Sequence, residues 1–276
     1  MTNSAPTSHS PLHALHVAGQ PLILANVWDV ASARIVEQSG ASALATTSAG
    51  IAWALGYSDG NQLPRAEALA AVRRIVERVR IPVTVDLEGG YASDPQETAR
   101  TVSAALDCGV AGVNLEDGAR DPNEFAAHLR AARAAAQSAG RPLFINARTD
   151  LFLAGAASEQ ALESEAISRA ALYKEAGADG FFVPGAARAS VIRRLAETVT
   201  MPLNVMVGPG AAPVSVLAGL GVARISLGSS IAQAAYGIVE RAAIEMAHAG
   251  TYGAVADGVD YGTLNSLLWA PTSQQQ

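Results

Sequence analysis

Residues 82–117 read PVTVDLEGGYASDPQETARTVSAALDCGVAGVNLED. A β-branched, apolar run (82–87, PVTVDL) leads into a segment of helical period (95–107). That segment stops at a glycine in DCGVAG and hops into a second apolar run (111–116, AGVNLE). The same unit repeats outward in both directions. Further strands are expected at 22–27, 42–47, 143–148, 179–183, 202–207 and 223–227, and further helices at 29–39, 65–79, 123–138, 158–176, 188–198, 213–219 and 229–248. Glycine marks the helix-to-strand joins EQSGAS and EAGADG as well. Eight β/α units in this order predict an α/β fold, the (β/α)8 TIM barrel, with an extra C-terminal helical segment. A doubly wound open sheet is the rival, but no GxGxxG follows the first strand. The chain divides into a loose polar leader (1–20), the barrel (21–248) and a C-terminal segment (249–276). Leu264, Leu267, Leu268 and Trp269 in that last segment need cover, on their own barrel or on a neighbouring subunit.

Composition narrows the function. The 276 residues carry 19 basic and 25 acidic side chains, a formal charge of −6, with no basic run to meet a phosphate backbone or an anionic membrane. No apolar stretch is long enough to span a bilayer, and the N-terminus lacks a cationic start and an apolar core. A cytoplasmic protein is expected, without nucleic-acid or membrane partners. The single cysteine, Cys108, permits no internal disulfide and is expected to be a buried, inert thiol. The single lysine, Lys174, sits in a helix ahead of Gly177, which argues against Schiff-base and P-loop chemistry.

A barrel of this kind builds its active site at the C-terminal ends of its strands, where alternate residues face the interior. Thr84, Asp86 and Glu88 form one such set, Asn114 and Glu116 another, and Asn146, Arg148 and Asp150 a third. Asn26 and Trp28 follow on the first strand and Asn204 on the seventh. Asp86, Glu88 and Glu116 thus converge with Arg148 as the evident inward cation. Two like charges about 4 Å apart cost about 4 kcal/mol at an effective dielectric near 20. The acids therefore either share protons in a hydrogen-bonded network or hold a divalent cation. With oxygen ligands and no strand-end His or Cys, that cation is Mg2+ or Mn2+. The loop TTSAGIAWALGYSDG after the second strand offers the amides of Ser48, Ala49 and Gly50 to a carboxylate, and Asp59 as one more acid. A plain surface loop anchored by Trp53 is the alternative. Asp29 is read as the cap of the first helix.

The pieces TTSAGIAWALGYSDG, VDLEGGY, GVNLEDG and FINARTD, in this order, resemble the isocitrate lyase / phosphoenolpyruvate mutase superfamily over most of the chain. The resemblance implies a Mg2+-dependent barrel acting on small 2-oxo acids or their enol forms. It implies Asp86 as direct metal ligand, with Asp59, Glu88 and Glu116 holding the ion through waters. Arg148 would grip the substrate carboxylate and steady a developing enolate, within a catalytic set of Arg148, Asp59 and Glu116. Ser48, Ala49 and Gly50 would cradle the carboxylate, and Trp28 and Asn204 would complete the substrate side. It also implies a homo-oligomer, with C-terminal helices exchanged between paired subunits of a tetramer. Two departures stand out. The usual Asp-x-Asp is Asp86-Leu87-Glu88 here, and the lyase loop Lys-Lys-Cys-Gly-His is replaced by the short GARDPNEF. The expected function is a lyase cleaving a C–C bond of a 2-oxo or 2-hydroxy dicarboxylate, by decarboxylation or retro-aldol cleavage. The alternatives are a 2-oxo-acid binding protein with weak or no catalysis, and P–C bond chemistry on phosphonopyruvate.

Overall fold

A computed structural model describes residues 9–154 and 158–269; positions 1–8 of the leader and 270–276 of the C-terminal segment lie outside the described residues. The strands are β1 (Leu22–Leu24), β2 (Asn26–Val27), β3 (Leu44–Thr46), β4 (Val83–Asp86), β5 (Gly112–Glu116), β6 (Phe144–Arg148), β7 (Gly180–Phe182), β8 (Leu203–Met206) and β9 (Arg224–Ser226). The helices are α1 (Pro11–Leu15), α2 (Val30–Gln38), α3 (Ser48–Ala54), α4 (Arg65–Val76), α5 (Pro95–Asp107), α6 (Pro122–Ser138), α7 (Leu151–Ala154), α8 (Glu159–Glu175), α9 (Ala189–Thr198), α10 (Val214–Gly219), α11 (Ser230–His248) and α12 (Tyr261–Trp269).

All strand pairs are parallel, in the order β1-β9-β8-β7-β6-β5-β4-β3-β2. β1 and β2 are the expected first strand, divided at Ala25: its first half pairs with β9 and its second with β3, so the sheet closes on itself. The seam is fastened by Asn26. Its carboxamide donates to Thr46 O (2.9 Å) and accepts the amides of Leu227 (2.9 Å) and Gly228 (3.0 Å), replacing ladder bonds where β2 parts from β9.

Capping and periodicity explain the helices. Asp94 accepts the amide of Glu97 (2.9 Å) ahead of Pro95, and α5 then buries Thr98, Thr101, Val102, Ala105 and Leu106 on one face. Asp29 caps α2 through a reciprocal box with Ser32, as its position suggests. Val85, Val113, Ile145, Phe181 and Val205 face outward into the main core beneath the helices.

The barrel interior changes character along its axis. Its N-terminal end is apolar, with Leu22, Leu24, Ala43, Ala45 and Phe144 packed around Leu12 of α1. The middle is a layer of amides: Asn146 donates to Asn114 and Asn204, both at 3.0 Å, and Arg224 donates to Asn114 (3.1 Å). A side chain on Gly180 would come within 2.7 Å of Asn146 Oδ1 and 2.9 Å of the Phe144 ring, so glycine is needed there.

Two expectations need correction. Residues 10–16 of the leader are not loose but close the bottom of the barrel. Ser10 Oγ donates to Ala111 O (2.6 Å), Leu12 is buried, and the His16 ring stacks on Phe144 with centroids 4.0 Å apart. Arg148 is also not the one interior cation: Arg224 lies 1% exposed within the amide layer, where burial lowers its pKa and the charge of Asp86 opposes that shift. At the other end of the chain, α12 lies on the chain's own α2, with Arg34 Nε donating to Leu267 O (3.3 Å).

The plug makes stability pH-dependent. His16 Nδ1 donates to Leu12 O (2.6 Å), while burial, aided by the charge of Arg224, lowers the ring's pKa from 6.5 to about 4. The unfolded chain therefore takes up this proton first. The contribution is complete above pH 6.5 and is lost as the pH falls toward 4. About 3 kcal/mol of acid-side loss is expected from this group, and His16→Gln should remove that share in urea titrations at pH 7 and pH 4.5.

Candidate active site

Three strand ends bring the charges together. Parallel register sets Asp86 beside Asn114 and Glu116 beside Arg148. Arg148 Nη1 meets Glu116 Oε2 at 2.8 Å, its Nε donates to Asp150 Oδ1 at 2.6 Å, and its guanidinium carbon lies 5.9 Å from the centroid of the Phe182 ring. Burial disfavours the guanidinium charge, yet Glu116, Asp86 and Asp150 outweigh it and raise the pKa above the ordinary value. Glu116 carries the strain of the crowded acids. Burial first, then the charges of Asp86, Asp150 and Glu88, push its carboxyl up to about 8 against the pull of Arg148.

Asp86 is fixed from three sides. Its amide donates to Thr46 Oγ1 (3.0 Å), its Oδ2 accepts from Ser48 Oγ (3.0 Å), and its Oδ1 accepts the amide of Glu88 (3.2 Å). Each oxygen thus keeps a lone pair in reserve. Glu88, 2% exposed, turns toward the loop after α3. Its Oε2 accepts the Asn61 amide and its Oε1 the Tyr91 hydroxyl (3.0 Å). Burial raises its pKa, with the charges of Asp86 and Asp59 adding and the two donors opposing. Glu88, Asn61 and Tyr91 all have left-handed backbones, at φ 50°, 61° and 50°, a conformation costing about 1–2 kcal/mol per non-glycine residue.

The expected loop after the second strand begins as a helix. Thr47 caps α3, so Ser48, Ala49 and Gly50 form its first turn, and the Gly50 amide is spent on Thr47 Oγ1 (3.3 Å). A side chain on Gly50 would meet Thr47 Cγ2 at 2.7 Å and Trp28 Cβ at 2.9 Å, which is why this helix starts small. Trp28 packs against the buried cluster of Ile51, Ala52, Leu63 and Ala68. Asn204 is committed to the amide layer, donating to Val205 O (2.9 Å), Arg224 O (3.2 Å) and Ser226 Oγ (3.3 Å). Asp59 is exposed, and its charge acts on Glu88 and Tyr91. Cys108 is buried in the core, and Lys174 binds Thr200 Oγ1 (2.8 Å) on the outer surface. Among the described residues, no three acidic, His or Cys side chains are arranged to hold an ion directly.

A family model described as phosphoenolpyruvate phosphomutase matches residues 12–247. The chain belongs to this family, within the phosphoenolpyruvate mutase / isocitrate lyase superfamily. Among family relatives, 2-methylisocitrate lyase of Escherichia coli K12 is 30% identical over 210 residues, covering 71% of this chain and 69% of that protein. Oxaloacetate decarboxylase of Bradyrhizobium sp. BTAi1 is 31% identical over 189 residues, 64% of this chain and 63% of that protein. A solved structure from Burkholderia cenocepacia J2315, provisionally described as a lyase/mutase, superposes with a TM-score of 0.85 at 33% identity over 94% of this chain and 95% of that one. The family thus includes lyases and mutases on this barrel.

Sequence reasoning missed Asp117, which holds the backbone just past the Arg148 end of β6. Buried at 0% exposure, its Oδ1 accepts the amide of Asp150 (3.0 Å) and its Oδ2 accepts from Arg169 Nη1 and the Tyr173 hydroxyl, both at 2.7 Å. The backbone that carries Arg148's partner is thereby fixed. Its alternation opposite Glu116 was the available signal, but the partners lie more than 30 residues away. Asp117→Ala leaves Arg169 and Tyr173 facing each other without the carboxylate, and a stability loss of about 3–5 kcal/mol in denaturant titrations is expected.

Proposed function

We propose that this protein is a Mg2+-dependent lyase that binds a small 2-oxo or 2-hydroxy dicarboxylate and cleaves a C–C bond through an enolate, by decarboxylation or retro-aldol cleavage. One observation carries the reading. At the C-terminal mouth of the barrel, a partly exposed guanidinium is held between Glu116 and Asp150, next to Asp86. A dicarboxylate needs such a cation, and a hard divalent ion needs such oxygens. The relatives that cleave C–C bonds support this choice.

The donor set fits Mg2+ in one way. Among the described residues no three acids are gathered for direct ligation, so Asp86, with a lone pair to spare on each oxygen, is the direct ligand, and Asp59 and Glu116 act through waters. Glu88 belongs to the same expected set, although both of its oxygens already accept a donor from the protein. When bound, the ion polarises the 2-oxo group as a Lewis acid. Mn2+ serves the same oxygen donors.

The chain's own residues do the rest. Of the five N–H donors of Arg148, Nε goes to Asp150 and one on Nη1 to Glu116, leaving others to clamp a carboxylate. As the C–C bond breaks, its electron pair becomes the C=C bond of the enolate and the carbonyl π pair moves onto oxygen, where the same guanidinium stabilises the developing charge; CO2 leaves, or a carbonyl fragment whose hydroxyl proton passes to solvent, and solvent reprotonates the enolate carbon. The first-turn amides of Ser48 and Ala49 take the far carboxylate, while Gly50 contributes closeness rather than an amide. Trp28 and Asn204 act on the substrate side indirectly, through the packing of α3 and through the amide layer.

A second reading, a 2-oxo-acid binding protein without turnover, draws on the five residues 117–121 between β5 and α6, which contain no Lys, His or Cys to move a proton. We further infer self-association. Tyr236, Ile238, Val239, Ile244 and Met246 of α11 are exposed, with Val239 64% and Met246 65% accessible, and a second copy of the chain would cover them.

A panel of 2-oxo and 2-hydroxy dicarboxylates with Mg2+, followed by calorimetry and by NMR of the products, tests the reading. Metal-dependent C–C cleavage of one member is expected, and Asp86→Ala should weaken Mg2+ binding by at least about 100-fold and abolish turnover. Binding without any product supports the second reading, and phosphate release from phosphonopyruvate supports P–C chemistry. Asp86→Ala retaining both metal affinity and turnover overturns the proposal.

A further inference from the structure

Asn61, Glu88 and Tyr91 are the non-glycine residues with positive φ among the described residues, and all three meet at one carboxylate. Glu88 Oε2 accepts the backbone amide of Asn61, and Glu88 Oε1 accepts the hydroxyl of Tyr91 at 3.0 Å. The Tyr91 ring packs against the cluster of Ile51, Ala52, Leu63 and Ala68, so its apolar body and polar tip are both engaged. The segment between α3 and α4 is tied down again at its start, where the Tyr57 hydroxyl donates to Glu67 Oε1 (2.9 Å), and at its end, where Leu63 is 2% exposed.

We propose that Glu88, Tyr91 and Asn61 form a clasp that holds residues 57–63, and with them Asp59, beside the acidic mouth, and that Glu88 is a positioning residue rather than a holder of metal-bound water. Left-handed residues that are not glycine persist where their surroundings over-determine them, and here three are held by one shared group. The length of the side chain decides the role. From the same backbone position, the shorter Asp of the Asp-x-Asp pattern would stop one methylene short of both donors, whereas Glu88 reaches out of the barrel to them. Releasing the carboxylate frees all three residues to relax together, so the clasp has two states, fastened and open. The work assigned to Asp59 rests on the lyase reading; the clasp itself does not.

Hydrogen exchange of the metal-free, substrate-free full-length protein tests this apart from activity. In Tyr91→Phe and in Glu88→Asp, amides of residues 57–63 should exchange about tenfold faster or more, while those of β5 and β6 keep their protection. Glu88→Gln should stay within about threefold of the native rate, because its oxygen accepts the Asn61 amide and its nitrogen donates to the Tyr91 oxygen. A holder of metal-bound water gives the opposite order, with Asp tolerated and the uncharged Gln impaired in Mg2+ titrations. Native exchange of residues 57–63 in both Tyr91→Phe and Glu88→Asp, or Glu88→Gln exchanging as fast as Glu88→Asp, overturns the proposal. Loss of the lyase reading with these exchange rates as expected leaves the clasp standing.

Discussion

The ion pairs that Arg148 makes with Glu116 and Asp150 are the constraint around which the mouth of this barrel is arranged. Carboxylates on neighbouring strand ends repel one another in a partly dry setting, and a single guanidinium beside them is too little to cancel the repulsion. Burial first, and the crowding of these acids after it, raises the Glu116 and Glu88 carboxyls above the ordinary range. Such a site is poised for added positive charge, which is what a divalent cation brings.

The barrel below is built to tolerate this crowding. Its apolar base, capped by Leu12 and His16, excludes water from one end. The layer of Asn114, Asn146 and Asn204 above it supplies dipoles instead of charges, and Arg224 adds a second cation deep enough for its field to reach Asp86. Asp117 then fixes the backbone next to Arg148 through three separate donors. Apolar base, amide waist and charged rim form one graded interior, and each layer orients the next.

Strand alternation made the fold and the acids readable. Period-2 patterning in PVTVDLEGG and LFINARTD assigns Asp86 and Arg148 to the interior, and glycines at helix ends mark the units. The same test applied to ARISL sets Arg224 and Ser226 opposite Ile225, so this second cation is also legible in the pattern. The seven residues of α3 are too few to show a helical period, and its cap Thr47 sits within a run that reads as strand. The plug was hidden by the polar composition around Leu12. Glu88 illustrates a different limit: its left-handed backbone and its distant partner Asn61 follow from tertiary closure, which no local pattern encodes.

The central claim is that the acid-rich mouth gathers a hard cation and a carboxylate on opposite sides of one small space. The most direct measurement is a crystal structure of the protein soaked with Mg2+ and a 2-oxo dicarboxylate. The account predicts an octahedral ion bound directly by Asp86 and otherwise by waters and the ligand, with a ligand carboxylate or 2-oxo oxygen hydrogen-bonded to Arg148. A ligand density far from Arg148, or an ion bound elsewhere with Asp86 bare, would contradict it.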